Sequence, residues 1–143
     1  MNKKIGCLRM SIEAGKASPA PPVGPALGLR GLNMMSFCKE FNDLTKDYMP
    51  GTIVPTKIDI FADKSIKIHL QTPTCTFILK SYLSKLYPDL KSYHGIELDP
   101  RVIYHIAELK LKDNPNTSLE SLSKSIISSC TTLGIKIKSI TPK

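Results

Sequence analysis

The segment at residues 19–25, PAPPVGP, constrains the fold of this chain more than any other stretch. Four of its seven residues are proline, and each proline fixes its own φ angle and lacks a backbone N–H donor. Such a segment is unsuited to the interior of a helix or to a central strand. We therefore predict a stiff, extended or turning surface, with three glycines close by: Gly24, Gly28 and Gly31.

The charge of the chain indicates a polyanionic partner. Its 143 residues carry 20 basic and 12 acidic side chains, a formal net charge of +8. For a small basic protein the commonest polyanion is nucleic acid, and the alternative is a basic soluble protein without such a partner. The charge is divided evenly between residues 1–71 and 72–143, so it does not indicate which half binds nucleic acid. No apolar run approaches the ~18 residues of a membrane helix, so we predict no membrane partner.

Catalytic and metal-binding patterns are weak in this sequence. The four cysteines lie far apart, and the three histidines complete no zinc-ligand spacing. Scattered thiols of this kind are typical of a reducing compartment. No nucleophile motif, phosphate-binding loop or clustered pair of carboxylates is present. An enzyme is the alternative class, but without these motifs we predict a protein without catalysis, metal or cofactor.

The first half of the chain mixes a helix with strands. Four stretches carry the periodicity: a strand at 4–12, a helix at 33–48, and two strands of a hairpin at 52–62 and 65–71. Asn33 is placed to cap the helix, and Pro50 with Gly51 is placed to stop it. The hairpin is predicted to turn at Asp63 and Lys64.

The second half is predicted to be helical. Three stretches have helical spacing: 74–87, 99–112 and 117–134. Asp99 before Pro100 predicts the start of the second helix. Thr117 and Glu120 form a capping-box pattern at the start of the third, and Gly134 is suited to its end.

These elements predict an α+β fold with two domains. The N-terminal domain, residues 1–71, is a small α/β sandwich of a strand, the proline-rich segment, a helix and a β-hairpin. QTPT at 71–74 is the linker. The C-terminal domain, residues 72–143, has three helices and a minor strand in the alternating tail IKIKSI at 135–140.

The last helix has an apolar stripe and an opposite face of small hydroxyls. The hydroxyl face contains Ser121, Ser125, Ser128 and Thr132. Small hydroxyls allow a backbone to approach closely and are able to donate to phosphate or ribose oxygens. The alternative is an ordinary solvent-exposed face in a serine-rich helix.

A second candidate for RNA contact is the loop PDLKSYHGIELD at 88–99, between the first two of these helices. It brings Lys91, Tyr93, His94 and Gly95 together. A basic loop with aromatic side chains beside a hydroxyl-faced helix is typical of an RNA-contacting surface. The alternative is a surface loop without a ligand.

Residues 14–42, AGKASPAPPVGPALGLRGLNMMSFCKEFN, resemble the family of the large ribosomal subunit protein numbered eleven. Further matches are a Pro-x-x-Ile strand, the turn ADKS, TPT before a helix and a terminal SII…LGI. The resemblance covers essentially the whole chain and is most specific in residues 14–42.

The resemblance implies a structural, RNA-binding protein of the large ribosomal subunit. In this family the C-terminal helical domain binds the GTPase-associated region of the rRNA at the base of the stalk. The N-terminal domain contacts translational GTPases and release factors, next to the neighbouring stalk proteins. The alternative is a free RNA-binding regulator built from the same two domains.

The resemblance and the two candidate surfaces give two sets of site residues. The predicted rRNA-binding set is Thr72, Lys80, Lys91, His94, Gly95, Ser125, Ser128, Ser129, Thr132 and Gly134. The predicted factor-facing set is Lys16, Pro21, Pro22, Gly24 and Pro25. The chain departs from the family at Ser128, where glycine is usual, and at Thr131, where arginine is usual.

The pattern YHIAELKLKD…LESLSKSII is more similar to mitochondrial members of the family than to common bacterial ones. We therefore expect a location in the mitochondrial matrix, on the mitochondrial ribosome. The alternative is a bacterial cytoplasm or a plastid.

Overall fold

The computed structural model describes residues 3–139. Contacts group the chain into two compact units, Met1–Pro73 and Thr74–Lys143. The predicted domain boundary, between residues 71 and 72, lies two residues before this division. Each unit has its own hydrophobic core.

The N-terminal unit is a three-stranded antiparallel sheet with helices packed on one face. Its elements are β1 (Lys4–Glu13), α1 (Val23–Gly28), α2 (Met34–Leu44), β2 (Ile53–Phe61) and β3 (Ile66–Leu70). The strand order is β1-β2-β3, and the two hairpin strands were predicted correctly apart from their end residues. This mixture of helices and strands confirms the predicted fold class.

Alternate residues of the sheet build the core of this unit. Val54 and Ile58 on β2 are fully buried, as are Phe37 and Phe41 on α2. The two phenyl rings stack with their centroids 5.9 Å apart. Alternate residues of the strand thus pack against residues spaced three or four apart on the helix, and together they form one apolar core.

The proline-rich segment contains a short helix, so our expectation of a purely extended or turning segment is wrong. Pro25 is the third residue of α1. The first N–H groups of a helix have no partner within it, so a proline there sacrifices no hydrogen bond. Val23 and Leu27 of α1 are buried in the core, and the peptide bond between Pro21 and Pro22 is cis.

The helix after this segment is shorter than predicted. Asn33 caps it as expected, accepting a hydrogen bond from the Ser36 N–H at 3.2 Å. The helix ends at Leu44 rather than near residue 48, and Thr45 is its C-terminal cap. The Thr45 hydroxyl donates to the Phe41 carbonyl at 2.8 Å and accepts from the Gly15 N–H at 3.0 Å.

The C-terminal unit has three helices and a short two-stranded sheet. Its elements are α3 (Cys75–Leu86), β4 (Glu97–Leu98), α4 (Pro100–Leu111), α5 (Leu119–Thr132) and β5 (Lys136–Ile137). Leu79, Ala107 and Cys130, one from each helix, are fully buried. The predicted apolar stripe of the last helix faces this core.

One predicted cap is right and one is wrong. Asp99 caps α4 as expected, accepting from the Arg101 N–H at 2.9 Å. The capping box at Thr117 is wrong, because Ser118 is the residue that caps α5. The Thr117 N–H donates to the Asn114 carbonyl at 3.2 Å, so Thr117 still belongs to the preceding turn.

The small sheet joins two segments that are distant in sequence. β4 pairs with β5 in parallel, with Glu97 opposite Lys136 and Leu98 opposite Ile137. The tail predicted as a strand over 135–140 is a strand only at Lys136–Ile137, and residue 140 lies outside the described residues. Residues 3–139 contain no helix with the length and apolar character needed to span a membrane.

Candidate nucleic-acid interface

The loop at 88–98 is bound to the end of α5 by backbone hydrogen bonds. The Gly95 N–H donates to the Gly134 carbonyl at 3.0 Å, and the Lys136 N–H donates to the Ile96 carbonyl at 2.8 Å. These bonds connect Gly95 and Ile96 of the loop to the residues that follow α5, although the two segments are far apart in sequence.

His94 lies directly over Gly134. A methyl group at position 134 would overlap the imidazole ring of His94. Gly134 also has a φ of 77°, in the left-handed region that favours glycine. Three residues of the predicted rRNA-binding set, His94, Gly95 and Gly134, are thus brought together at one place.

The end of α5 has a well-defined geometry. The Ile135 N–H donates to the Cys130 carbonyl at 3.0 Å, and the Gly134 N–H donates to the Thr131 carbonyl at 3.0 Å. This pair of bonds is a Schellman motif, with the buried side chains of Ile135 and Cys130 below it. The predicted role of Gly134 at the end of this helix is confirmed.

The hydroxyl face of α5 leads up to this cluster. Ser125, Ser128, Ser129 and Thr132 are spaced at i, i+3, i+4 and i+7, so they share one side of the helix. Ser125, Ser128 and Thr132 are exposed, and Ser129 is partly buried.

The protons of these hydroxyls point back to the helix. Ser128 donates to the Lys124 carbonyl at 3.2 Å, and Thr132 donates to the Ser128 carbonyl at 3.0 Å. A hydroxyl has one donor and two acceptor lone pairs, so the outward side presents acceptors. The face is therefore arranged to accept from ribose 2′-hydroxyls or base amino groups, whereas donation to a phosphate requires the hydroxyl to rotate.

The remaining residues of this set lie outside the cluster. Lys80 on α3 and Lys91 in the loop are exposed, and in the described part of the chain neither forms an ion pair. Thr72 belongs to the N-terminal unit, so the structure does not join it to the others. The hydroxyls of Ser84 and Tyr93, 3.4 Å apart, connect α3 to the loop and were not among the predicted residues.

The factor-facing set is partly assembled around a groove of about 280 Å³ in the N-terminal unit. Lys16, Pro21 and Pro22 line this groove. The Lys16 ammonium forms an ion pair with Glu13 at 2.6 Å on the exposed rim. Gly24 and Pro25 are not part of its lining.

Gly24 has a separate role in shaping the segment. A Cβ atom at this position would overlap the carbonyl oxygen of Pro19, which is backbone and cannot rotate away. Glycine at position 24 therefore allows the proline-rich segment to fold tightly onto the start of α1. Pro25 follows on the exposed side of the first helical turn.

Two polar residues, one in α2 and one capping its C-terminal end, bind the backbone at the start of this segment. Asn42 accepts from the Ala17 N–H at 2.9 Å and donates to the Ala17 carbonyl at 3.2 Å. Thr45, which binds Gly15, is 1% exposed. Sequence analysis assigned neither residue a role. Thr45 follows Phe37 and Phe41 at helical spacing, so a polar residue at this position of an apolar stripe indicates a buried hydrogen bond.

Two family models match this chain. "Ribosomal protein L11, N-terminal domain" matches residues 8–66, and "Ribosomal protein L11, RNA binding domain" matches residues 90–137. The chain belongs to the uL11 family of ribosomal proteins. The RNA-binding model includes the His94–Gly134 cluster and the whole hydroxyl face, whereas Lys80 lies before it.

Individual uL11 proteins are similar over nearly their full length. "Large ribosomal subunit protein uL11m" of Reclinomonas americana is 46% identical over 140 residues, which covers 95% of this chain and 96% of that protein. The uL11 proteins of Hydrogenobaculum sp. and Roseobacter denitrificans are each 39% identical, and the alignments cover at least 95% of each chain. These names confirm the predicted family, and they confirm a ribosomal protein with an RNA-binding domain rather than an enzyme.

Proposed function

We propose that this uL11-family chain binds the GTPase-associated region of the large-subunit rRNA, at the base of the stalk, through its C-terminal domain. The observation that carries this proposal is the packing of His94 and Gly95 on Gly134, inside the segment matched by the RNA-binding family model. This packing arranges the loop and the end of α5 before any RNA is present. A surface that is already ordered loses less conformational entropy when it binds.

Each group of residues has a distinct role in this proposal. The exposed His94 ring offers a face on which an unstacked base packs, and the hydroxyl acceptors of Ser128 and Thr132 bind ribose 2′-hydroxyls. Lys80 and Lys91 are exposed cations that contact phosphates. Thr72, in the linker before α3, is a further RNA contact from the N-terminal unit.

The N-terminal domain presents the proline-rich segment to translational GTPases and release factors, next to the neighbouring stalk proteins. What supports this assignment is that Pro21 and Pro22 are exposed while Val23 and Leu27 of the same segment are buried. One side of the segment is thus fixed to the core, and the other forms a stiff surface with Lys16 at its edge. Transient contacts to such a surface require little ordering.

Substitution at Ser128 tests the RNA site. Ser128→Glu places a carboxylate where RNA is expected, so the affinity of the full chain for a stalk-base rRNA fragment should fall on the order of a hundredfold. Ser36→Glu is the matched control, because Ser36 is exposed in the first turn of α2 and a glutamate there is compatible with the Asn33 cap. Equal affinity of the two variants would remove α5 from the interface.

Substitution at Pro22 tests the division of roles between the domains. Pro22→Ser should leave rRNA affinity unchanged and should alter the GTP hydrolysis that a translational GTPase shows on large subunits containing the variant. A loss of rRNA affinity as large as that of Ser128→Glu would contradict this division. Failure of the chain to sediment with large subunits in high salt would favour a free RNA-binding regulator.

We further propose that the chain acts on a mitochondrial ribosome. The 46% identity to the protein named uL11m supports this location, compared with 39% for two bacterial relatives. Sedimentation of the chain with mitochondrial large subunits from fractionated cells is the expected result. Sedimentation with ribosomes of a plastid or of a bacterial cytoplasm would place it there instead.

A further inference from the structure

The outer face of the N-terminal sheet is strongly basic. The inward-facing residues of β2, such as Ile58 and Ile60, are buried against the helices. The alternate positions across the three strands face the other way, and they include Arg9, Lys57, Lys67 and His69. We call these four residues the basic sheet face.

The strand register brings these side chains into rows. Arg9 lies opposite Lys57, and Lys57 lies opposite His69, so one row crosses all three strands. In the next row, Asp59 lies between Cys7 and Lys67. Like charges directly opposite each other destabilise a sheet, so the first row is a local cost to folding.

The carboxylate in the second row offsets only part of this charge. Asp59 is paired with Lys4 at 2.6 Å and also lies 3.4 Å from the Nε2 atom of His69. Its side chain is 14% exposed. Within residues 3–139, Arg9, Lys57 and Lys67 form no direct ion pair, although the charge of Lys57 helps to lower the pKa of Asp59. These three cations outnumber the one carboxylate, so positive charge remains available to an external anion.

We propose that the basic sheet face is a second RNA-binding surface, on which Arg9, Lys57 and Lys67 contact phosphates of the RNA backbone. It lies on the N-terminal domain, outside the segment matched by the RNA-binding family model. The charge complementarity with phosphodiester RNA is direct, and RNA is the polyanion that a ribosomal protein meets.

The composition of the two rows favours RNA over an acidic protein. Neither row contains a large apolar side chain, and the apolar residues on this side of β2, Ile53 and Phe61, lie at its two ends. Protein interfaces obtain most of their affinity from a few buried aromatic or apolar anchors. Contacts to phosphates need only exposed cations, and they supply affinity by releasing counterions.

Charge removal on the full-length chain tests this surface. The sheet variant carries Arg9→Gln, Lys57→Gln and Lys67→Gln. The matched control carries Arg30→Gln, Lys39→Gln and Lys64→Gln, which removes the same charge from the same domain but from α2 and from two turns outside the face. Affinities of both variants and of the unsubstituted chain are measured over a salt series, with large-subunit rRNA and an unrelated transfer RNA as probes.

The sheet variant should lower the slope of log affinity against log salt by about 2–3, because each phosphate contact contributes roughly 0.7–0.9. Its affinity at 0.1 M salt should fall roughly a hundredfold, whereas the control should change the slope by less than about one. The midpoint of thermal unfolding of the sheet variant should be equal or higher, because opposed like charges have been removed.

The two probes separate the possible sources of phosphate. A loss confined to large-subunit rRNA assigns the surface to a second position on that RNA, and a loss on both probes assigns it to RNA backbone of any sequence. A slope change no greater than the control's on both probes would overturn the proposal and leave an acidic protein as the occupant. Ser128→Glu tests the C-terminal RNA site separately. The proposal for that site and the proposal for the basic sheet face are therefore tested independently.

Discussion

The proline-rich segment and the loop at 88–98 are both ordered surfaces, but they are ordered by different means. In the proline-rich segment the constraints on the backbone of residues 19–25 are mainly local, since prolines fix the backbone and Gly24 packs against the carbonyl of Pro19, while Asn42 and Thr45 bind only the residues just before it. In the loop the constraints come from the far end of α5, through Gly95, His94 and Gly134.

This difference determines how each surface responds to change. A local constraint persists while its own few residues are intact, and it depends little on the rest of the domain. A long-range constraint is lost when either of two distant segments is altered. The loop should therefore be the more fragile surface, and the following substitutions test this comparison.

The largest effect is expected for Gly134→Ala. The new methyl group overlaps the His94 ring, and alanine is strained at a φ of 77°, so the C-terminal domain should lose about 2–4 kcal/mol of stability. Thermal or denaturant unfolding measures the loss. Adding His94→Ala should restore part of it, leaving only the backbone strain of about 1–2 kcal/mol. Additive effects of the two substitutions would show that the ring and Gly134 are not in contact.

A smaller loss is expected for Gly24→Ala. The added methyl group meets the Pro19 carbonyl, and the resulting shift of the segment should cost about 1–3 kcal/mol. Gly28→Ala in the same helix is the control, because its nearest contact is the Met34 sulfur at 4.0 Å. That variant should be neutral or more stable by up to about 1 kcal/mol. Equal destabilisation by both would mean that α1, and not the contact with Pro19, is the sensitive feature.

Asn42→Ala measures how local the order of the proline-rich segment is. Its removal leaves the N–H and carbonyl of Ala17 without their side-chain partners, at a cost of about 1–2 kcal/mol. Hydrogen exchange should increase at residues 15–18 and remain unchanged through α1. Increased exchange throughout α1 would show that the segment depends on α2 and is not locally ordered.

The smallest effect is expected for the pH dependence of stability that comes from the Lys4–Asp59 ion pair. Pairing with Lys4 lowers the pKa of Asp59 below its ordinary value of 3.8. The stability from this pair is therefore present above the unfolded pKa and is lost as pH falls through the lower, folded pKa. Lys4→Gln should destabilise the N-terminal domain at neutral pH, and the difference from the unsubstituted chain should shrink below the folded pKa. A difference that is constant with pH would contradict the pairing.

The same comparison explains which features the sequence predicts. Asn33, Asp99 and Gly134 act within one helical turn, so their caps follow from a short window of residues. The apolar stripe that includes Ile126 is periodic and was likewise predicted. Sequence analysis also placed Gly134 in the interface, but through a family resemblance and not through its contact with His94.

The features that were not predicted depend on partners distant in sequence. The parallel pairing of Glu97 with Lys136 has no signal in either segment alone, since each strand is two residues long. At the early end of α2, Thr45 is bound by Gly15, which lies 30 residues earlier in the chain. α5 is capped by Ser118 and not by the predicted Thr117. Both residue types are favourable N-caps, so propensity alone does not distinguish these neighbouring positions.

The pairing of β4 with β5 also orders events during synthesis. Proteins are made from the N-terminus, and non-local contacts must wait for their second partner. The proline-rich segment has all its partners once β2 has left the exit tunnel. The loop at 88–98 lacks its own until Lys136 has been added, close to the end of the chain. A nascent chain of this protein would therefore complete its proline-rich segment well before the loop at 88–98 becomes ordered.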